Sequence, residues 1–308
     1  MKTKVWFVLT LMLFSVMLIA GCAAEKDTMK AAEIYTKSLE AMQQANSYVF
    51  EMEMTQVMQF PEPVPLDAGI VTDKMETQSR GIGKATQKPL AMEMTMEVHM
   101  SALADVPQAA EFATMEMKMY WVDDEIYIYY PMFDSWIRQD MREYGLGMGQ
   151  LEQLNQAAND PMFLLTLLGE DGAAKASLET DDKHYVLTLK DDEGALMMRM
   201  MDQITNQLGG DMLDPSIQAE MQEAFNNMEF SNIDYKIWID QGSYLAAKTY
   251  LSYSLTMNIE GEALSTEQFV TVTYKDYNSF DSIVVPEEVS SSAMTMEELF
   301  ENMMLPQP

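Results

Sequence analysis

Cysteine and histidine are scarce in this sequence. Among its 308 residues there are one cysteine, Cys22, and two histidines, His99 and His184. A lone cysteine excludes an internal disulfide, so the fold has to be stabilised by packing alone. The catalytic motifs G-x-S-x-G and H-E-x-x-H and the phosphate-binding glycine-rich loop are absent. Carboxylate pairs such as Asp123 and Asp124 fall at predicted turns, which is typical of solvated loops. The sequence therefore predicts a protein that is not an enzyme and has no cofactor and no metal site.

Basic residues are also few. The chain has 19 lysines and arginines against 49 aspartates and glutamates, a formal net charge of −30. A charge of this sign and size repels nucleic acid and anionic lipid head groups. There is no basic patch and no pattern of aromatic residues and arginines that would stack on bases. We therefore expect no nucleic-acid partner, and we expect the charge to keep the protein soluble as a monomer.

A long apolar run is confined to the N-terminus. Lys2 and Lys4 precede the run Val5–Ile19, which ends in Ile19-Ala20-Gly21-Cys22. A charged start, a short apolar stretch and small residues at a cleavage site are typical of a secretory signal. A plain signal peptide and an N-terminal membrane helix are the alternatives, although the run is shorter than the ~20 residues that span a bilayer.

The end of this run resembles the lipobox of bacterial lipoproteins. The resemblance implies cleavage before Cys22 and a diacylglyceryl thioether on Cys22, whose two chains suffice for stable anchoring. We predict a signal peptide at 1–21, a lipidated tether at 22–27 and a single domain at 28–308. Loss of the signal, which carries two lysines and no acid, would take the net charge from −30 to −32. The location would be the extracytoplasmic face of the bacterial cell membrane, where the acyl anchor, not charge, holds the protein.

Methionine, in contrast, is abundant, with 32 residues. In Leu90–Met100 the even positions are apolar and most odd positions are polar or charged, the period of a half-buried β-strand. The stretches 48–60 and 113–122 repeat the pattern. Three strands should thus present a methionine-lined face to one interior. The residues predicted to line a ligand cavity on it are Met52, Met54, Met92, Met94, Met96, Met115, Met117, Met119 and Trp121.

This face has several interpretations. It could be an ordinary core filled by the protein's own helices, or a cavity for an apolar ligand, because methionine adapts to varied shapes. Thioethers also suit Cu(I), but His99 has the opposite parity to Met92 and Met96, so these groups should not converge on one ion. Oxidant scavenging by surface methionines is a further reading.

The remaining pattern predicts an α+β protein of about ten antiparallel strands, with helices in clusters. We predict a first helix at 28–45, a more polar segment at 70–86 with a bend or bulge at Gly81 and Gly83, and a hairpin at 123–124. A helical insert should occupy about 140–226, interrupted by a strand at 184–190. A β-meander follows, then a short edge piece at 286–289 and a last helix at 295–303.

Several short motifs carry a resemblance to a known family. They are Tyr120–Tyr127, Trp136, Lys236–Asp240, Tyr244–Lys248 and Val285–Val289. Together with the lipobox they resemble uncharacterised Gram-positive lipoproteins of the lipoprotein-carrier superfamily, with the LolA, LolB and LppX-like fold. The resemblance implies an open antiparallel half-barrel that cups helices on its concave face. It also implies a lipid or other apolar small molecule as partner, besides the membrane reached through the acyl anchor. The alternatives are a structural or interaction lipoprotein with a closed core, and a methionine-rich Cu(I)-binding protein.

Overall fold

The computed structural model describes residues 27–66, 70–104, 110, 113–144, 175–195, 197–198, 227–259 and 262–304. Cys22 and most of the predicted helical insert lie outside these residues. The strands are β1 (Ser47–Leu66), β2 (Ile70–Gln87), β3 (Leu90–Met100), β4 (Thr114–Val122), β5 (Glu125–Tyr130), β6 (Ser135–Asp140), β7 (Lys175–Thr180), β8 (His184–Asp191), β9 (Met228–Asp240), β10 (Ala246–Ile259) and β11 (Glu262–Lys275). The helices are α1 (Asp27–Gln44), α2 (Ser101–Ala104), α3 (Glu287–Ser292) and α4 (Met296–Met304), with 3-10 turns at Pro131–Phe133 and Met141–Tyr144.

All eleven strands belong to one open sheet, in the order β6-β5-β4-β3-β2-β1-β11-β10-β9-β8-β7. Every neighbouring pair of strands is antiparallel. The order is that of two meanders, β1–β6 and β7–β11, which meet where β1 pairs with β11. The prediction of a large open antiparallel sheet is thus confirmed, with eleven strands among the described residues in place of about ten.

One face of the sheet, which we call the inner face, is apolar. It carries the alternate residues of each strand that enter the core, among them Met52, Val272, Leu251 and Ile237. The other face, here the outer face, carries the charged and polar residues between them. Alternation in the sequence predicted this division, because successive side chains of a strand point to opposite faces.

The first helix shares its core with the inner face. In α1 the buried side chains Ala31, Ile34, Tyr35 and Leu39 belong to the same apolar cluster as residues of β1, β8, β9, β10 and β11. Their spacing of three and four residues puts them on one side of a helix. The predicted helix at 28–45 is therefore confirmed. None of the helices in the described part of the chain has the length and hydrophobicity needed to cross a membrane.

The C-terminal segment covers the β6 edge of the sheet. Met294 donates its backbone N–H to the Trp136 carbonyl at 3.0 Å and accepts the Arg138 N–H at 2.8 Å, which forms a short parallel bridge. Val289 of α3 and Leu299 of α4 are buried beside it. An uncovered edge strand is a template for aggregation, so this segment protects the sheet.

Two local predictions were wrong, and one strand was missed. The ladder between β1 and β2 runs without a shift past Gly81 and Gly83, so no bulge is present there. The prolines after Phe60 do interrupt this ladder, between Gln59 and Val64, but the strand resumes and continues to Leu66. The predicted edge piece at 286–289 is largely helix α3. Strand β7 was not predicted.

Candidate functional site: a methionine-lined face

The predicted methionines of β1, β3 and β4 lie on the inner face in lateral rows. Strand β2 separates β1 from β3, and pairing across the four strands aligns Met52 with Gly81, Met96 and Met117. The neighbouring rows are Phe50–Gly83–Met94–Met119, Met54–Ser79–Val98–Met115 and Tyr48–Ala85–Met92–Trp121. All nine residues of the predicted cavity therefore share one face, which we call the methionine face.

Burial differs across this face. Met52 is 2% exposed and Met94 is 7% exposed, and both belong to the core cluster. The other methionines of the set, and Trp121, are only half-buried. Burial thus varies within each strand: Met54 of β1 keeps accessible surface although Met52 is enclosed, and Met96 of β3 keeps it although Met94 is enclosed.

Small residues on β2 form a shallow trough in the methionine face. Four successive inner-face residues of β2 are small, namely Ser79, Gly81, Gly83 and Ala85, and they lie between the larger side chains of β1 and β3. A Cβ added at Gly83 would lie 2.3 Å from Phe50 Cζ, so the Phe50 ring already lies over this glycine. At Gly81 the nearest atom is the Thr95 carbonyl oxygen, at 3.1 Å. The trough is therefore filled at Gly83 and less crowded by side chains at Gly81.

The polar groups near this face are uncharged. The Tyr253 hydroxyl donates to Gln268 Oε1 at 2.7 Å, and Gln268 Nε2 donates to Met54 Sδ at 3.3 Å. Burial raises the pKa of the Tyr253 and Tyr274 phenols, so both stay protonated at neutral pH. Sequence reasoning missed Ser79 and Gln268, since a single polar residue in a strand does not reveal which neighbours it meets.

Trp121 ends the row of Met92 near the β4–β5 turn. Its indole N–H donates to the Asp123 carbonyl at 3.1 Å, which leaves the ring as an apolar wall of the face. Trp136, in contrast, lies on the outer face against Tyr120 and Tyr129, with ring centroids 5.7 and 5.5 Å away. Of these two tryptophans, Trp121 can contact an apolar ligand bound to the methionine face.

A separate depression of about 250 Å³ lies on the outer face of β1–β4. Its walls come from side chains of the opposite parity, including Ile82, Lys84, Glu93, Lys118 and Tyr120. Lys84 and Glu93 form an ion pair across it at 2.5 Å. Because these two charges already pair with each other, neither is available to a ligand. The depression is therefore a weaker candidate site than the methionine face.

The copper interpretation finds no support in the placement of His99. As alternation predicts, His99 lies on the outer face, with Nδ1 3.0 Å from Thr114 Oγ1, and the methionines of β3 lie on the inner face. Among the residues that the structure describes, no three His, Cys, Asp or Glu side chains are grouped to hold a metal ion.

Together the sheet and its inner face define a class: an open-sheet β protein with one extended apolar face. The chain belongs to a family of unknown function, DUF6612, whose model matches residues 30–294. None of the curated proteins matches this sequence.

Two solved structures are distantly similar. One, described by its lipid–protein interactions in lipovitellin, is 8% identical with a TM-score of 0.31, and the match covers 82% of this chain and 27% of that one. The other, the S-type phycobiliprotein lyase CPES from Guillardia theta, is 6% identical with a TM-score of 0.23, over 80% of this chain and 97% of that one. This chain thus spans about a quarter of the lipovitellin chain, and TM-scores this low bear on neither fold family nor function.

Proposed function

We propose that the protein is a membrane-anchored extracytoplasmic lipoprotein that binds or carries a lipid or another apolar ligand on its methionine face. The observation that carries the proposal is the alignment of methionines from three strands in adjoining rows, with the trough of β2 between them. Unbranched thioether side chains adapt to a flexible chain better than branched ones do.

The proposed fold is the LolA and LppX-like half-barrel, in which the open sheet cups helices on its inner face. The shared core of α1 and strands β8–β11 supports this arrangement. In such a fold the ligand would lie between the sheet and the helices. The anchor would be the lipid on Cys22, and the acidic chain would remain off the anionic head groups.

Burial of an acyl chain supplies enough free energy for the proposed lipid binding. Each buried methylene contributes about 0.8 kcal/mol, so ten of them would contribute about 8 kcal/mol. A dissociation constant near 1 μM corresponds to about 8 kcal/mol, and association costs reduce the gross value. Micromolar binding of a long acyl chain therefore needs most of that chain to lie against the methionine rows.

A closed core without ligand is the second candidate function, that of a structural or interaction lipoprotein. The full burial of Met52 and Met94 and the Phe50 ring over Gly83 favour it. The half-buried methionines of β4 do not distinguish the two, since a ligand or the protein's own segments could cover them.

Native mass spectrometry distinguishes the candidates. The full chain with Cys22→Ser, which cannot be acylated, is purified without detergent and measured before and after addition of oleate, 1-monooleoylglycerol or phospholipid. A retained or added lipid mass supports binding, and a bare chain under all conditions supports the closed core.

A matched pair of variants locates the lipid. Met96 and Met117 lie opposite each other on the inner face, and Glu97 and Glu116 lie opposite each other one position along, on the outer face. Met96→Gln with Met117→Gln should reduce the lipid adduct, because glutamine keeps the length but is polar. Glu97→Gln with Glu116→Gln should leave it unchanged. Equal loss in both double variants would place the lipid elsewhere.

A further inference from the structure

A group of neutral polar side chains adjoins the methionine face. Pairing aligns Gln268 of β11 with Gln56 of β1 and Thr77 of β2, one row beyond Met54 and Ser79. We call these four residues, Gln56, Thr77, Ser79 and Gln268, the polar patch. They share the inner face with the methionines because each is an even number of positions from an inner-face residue of its own strand.

Ser79 is the informative member of the patch. It is 2% exposed, and its hydroxyl has no hydrogen-bond partner within the part of the chain that the structure describes. A buried hydroxyl without a partner costs roughly 1–3 kcal/mol. Such a group on an apolar face is free to hydrogen-bond to the polar head of a ligand bound there.

The patch offers hydrogen bonds but no counter-ion. In the paired rows of the described strands, the inner-face positions carry no lysine or arginine. Their two carboxylates are Asp191 of β8, four strands away from β1, and Glu262 at the start of β11, three inner-face rows from Gln268. Gln268 is held by Tyr253, with 2.7 Å between Tyr253 Oη and Gln268 Oε1. A carboxylate or phosphate buried here would lack a compensating charge, which is costly, whereas a hydroxyl or an ester carbonyl would be satisfied.

We propose, resting on the lipid-binding function above, that this site selects a single-chain amphiphile with an uncharged polar head, of the monoacylglycerol class. The head lies at the polar patch, where the Ser79 hydroxyl hydrogen-bonds to a glyceryl hydroxyl or the ester carbonyl. The acyl chain lies along the rows of Met52, Met96 and Met117. The neutral face thereby discriminates against fatty-acid anions and phospholipids.

The test compares two probes with the same chain and different heads. The full chain carrying Cys22→Ser is titrated at pH 7.4 with 1-monooleoylglycerol and with oleate, each displacing the fluorescent reporter N-phenyl-1-naphthylamine. We expect 1-monooleoylglycerol to bind at least ten times more tightly than oleate. Binding of oleate as tightly as 1-monooleoylglycerol, or more tightly, would overturn the proposed head-group selection and leave lipid binding intact. Displacement by neither probe would overturn the proposed selection, and together with a bare chain in the mass spectrometry described above it would overturn lipid binding as well.

Two substitutions test the patch itself. Ser79→Ala should weaken binding of 1-monooleoylglycerol by about five- to tenfold, the effect of one net hydrogen bond, without lowering the unfolding midpoint, because no described protein group bonds to that hydroxyl. Ser265→Ala, the same change on the outer face of β11, should alter neither. Gln56→Lys should raise the affinity for oleate by supplying a counter-ion. Unchanged affinity of Ser79→Ala for 1-monooleoylglycerol, with both probes still binding, would refute the assigned head position.

Discussion

Two methionines in one row allow a direct test of whether the methionine face is an enclosed core or a surface that a ligand can reach. Met52 is 2% exposed in the core cluster, whereas Met117 is half-buried, yet both lie in the row that Gly81 and Met96 complete. Truncation to alanine removes the same three heavy atoms at either position. Any difference in the loss of unfolding free energy therefore reflects the surroundings of the side chain.

The expected costs differ severalfold. Met52→Ala leaves a cavity against the apolar residues of α1 and the sheet, and such truncations cost about 2–5 kcal/mol of unfolding free energy. Met117→Ala removes a side chain that keeps contact with solvent. The loss of burial free energy is therefore smaller, and no closed cavity forms. We expect a cost of about 1 kcal/mol. Met132→Ala, at a position 59% exposed in a 3-10 turn, is the control and should stay within about 0.5 kcal/mol.

Urea unfolding followed by far-UV circular dichroism measures these differences, with and without 1-monooleoylglycerol. A ligand at a hundred times its dissociation constant stabilises the folded state by about 2.7 kcal/mol. Met117→Ala should reduce this increment more than Met52→Ala does, because in the proposed complex the half-buried Met117 presents more surface to the ligand than the enclosed Met52. If Met117→Ala costs as much as Met52→Ala and the ligand adds nothing to either, the face is a closed core and the reasoning is refuted.

Three other changes test the fold around the site. Gly83→Ala should cost about 1–3 kcal/mol by overpacking, since its Cβ would lie 2.3 Å from Phe50 Cζ. Phe50→Leu should recover part of this loss in a double-mutant cycle, and Gly242→Ala, whose nearest atom would be 3.4 Å away, is the control. Met294→Pro should increase aggregation, measured by light scattering, by removing the N–H that donates to Trp136, whereas Met294→Ala keeps that donor and should not. Hydrogen bonds from the Ser243 backbone and hydroxyl, and from the Gly242 N–H, lower the pKa of Asp240. This stabilisation is present above the unfolded pKa of about 3.9 and is lost as pH falls through the lower folded pKa. Asp240→Asn should therefore flatten the fall in melting temperature below about pH 4, and the exposed Asp281→Asn should not; equal slopes would contradict the assignment.

Alternation of residue type predicted the strands and the face that each side chain takes. The methionines of β3 and β4 are so regularly spaced that only a half-buried β-strand fits the pattern, and the structure places Met94 and Met119 opposite each other. Alternation does not reveal which strands are neighbours. The placement of β2 between β1 and β3, and the closure of β1 on β11, depend on pairings between residues up to 226 positions apart, such as Val49 with Lys275. The trough and the polar patch arise from those pairings, so they could not be predicted.

The glycines of β2 show why local signals were misleading. Gly81 and Gly83 are typical of a bulge in an isolated strand, but here they lie beneath Phe50 and beside Met96 in a regular ladder. The absence of a side chain serves packing across strands, not a change of backbone direction. The helix at 287–292 was missed for a related reason, since Glu287, Glu288 and three serines give no apolar period, and Val289 alone is buried in it.

The two halves of the inner face differ in a way that bears on function. Under α1, strands β8–β11 use leucine, isoleucine, valine and tyrosine, among them Leu187, Ile237 and Val272. Strands β3 and β4 use methionine on the same face, buried at Met94 and half-buried at the other positions. Burying a methionine loses up to about 2 kcal/mol of side-chain entropy, against about 0.5–1 kcal/mol for leucine or isoleucine. A face that served stability alone would gain from leucine at these positions, as it does in the other half. The retention of the more flexible side chain on β3 and β4 is explained if this half of the sheet has to adjust to an apolar partner, while the half under α1 has a fixed shape.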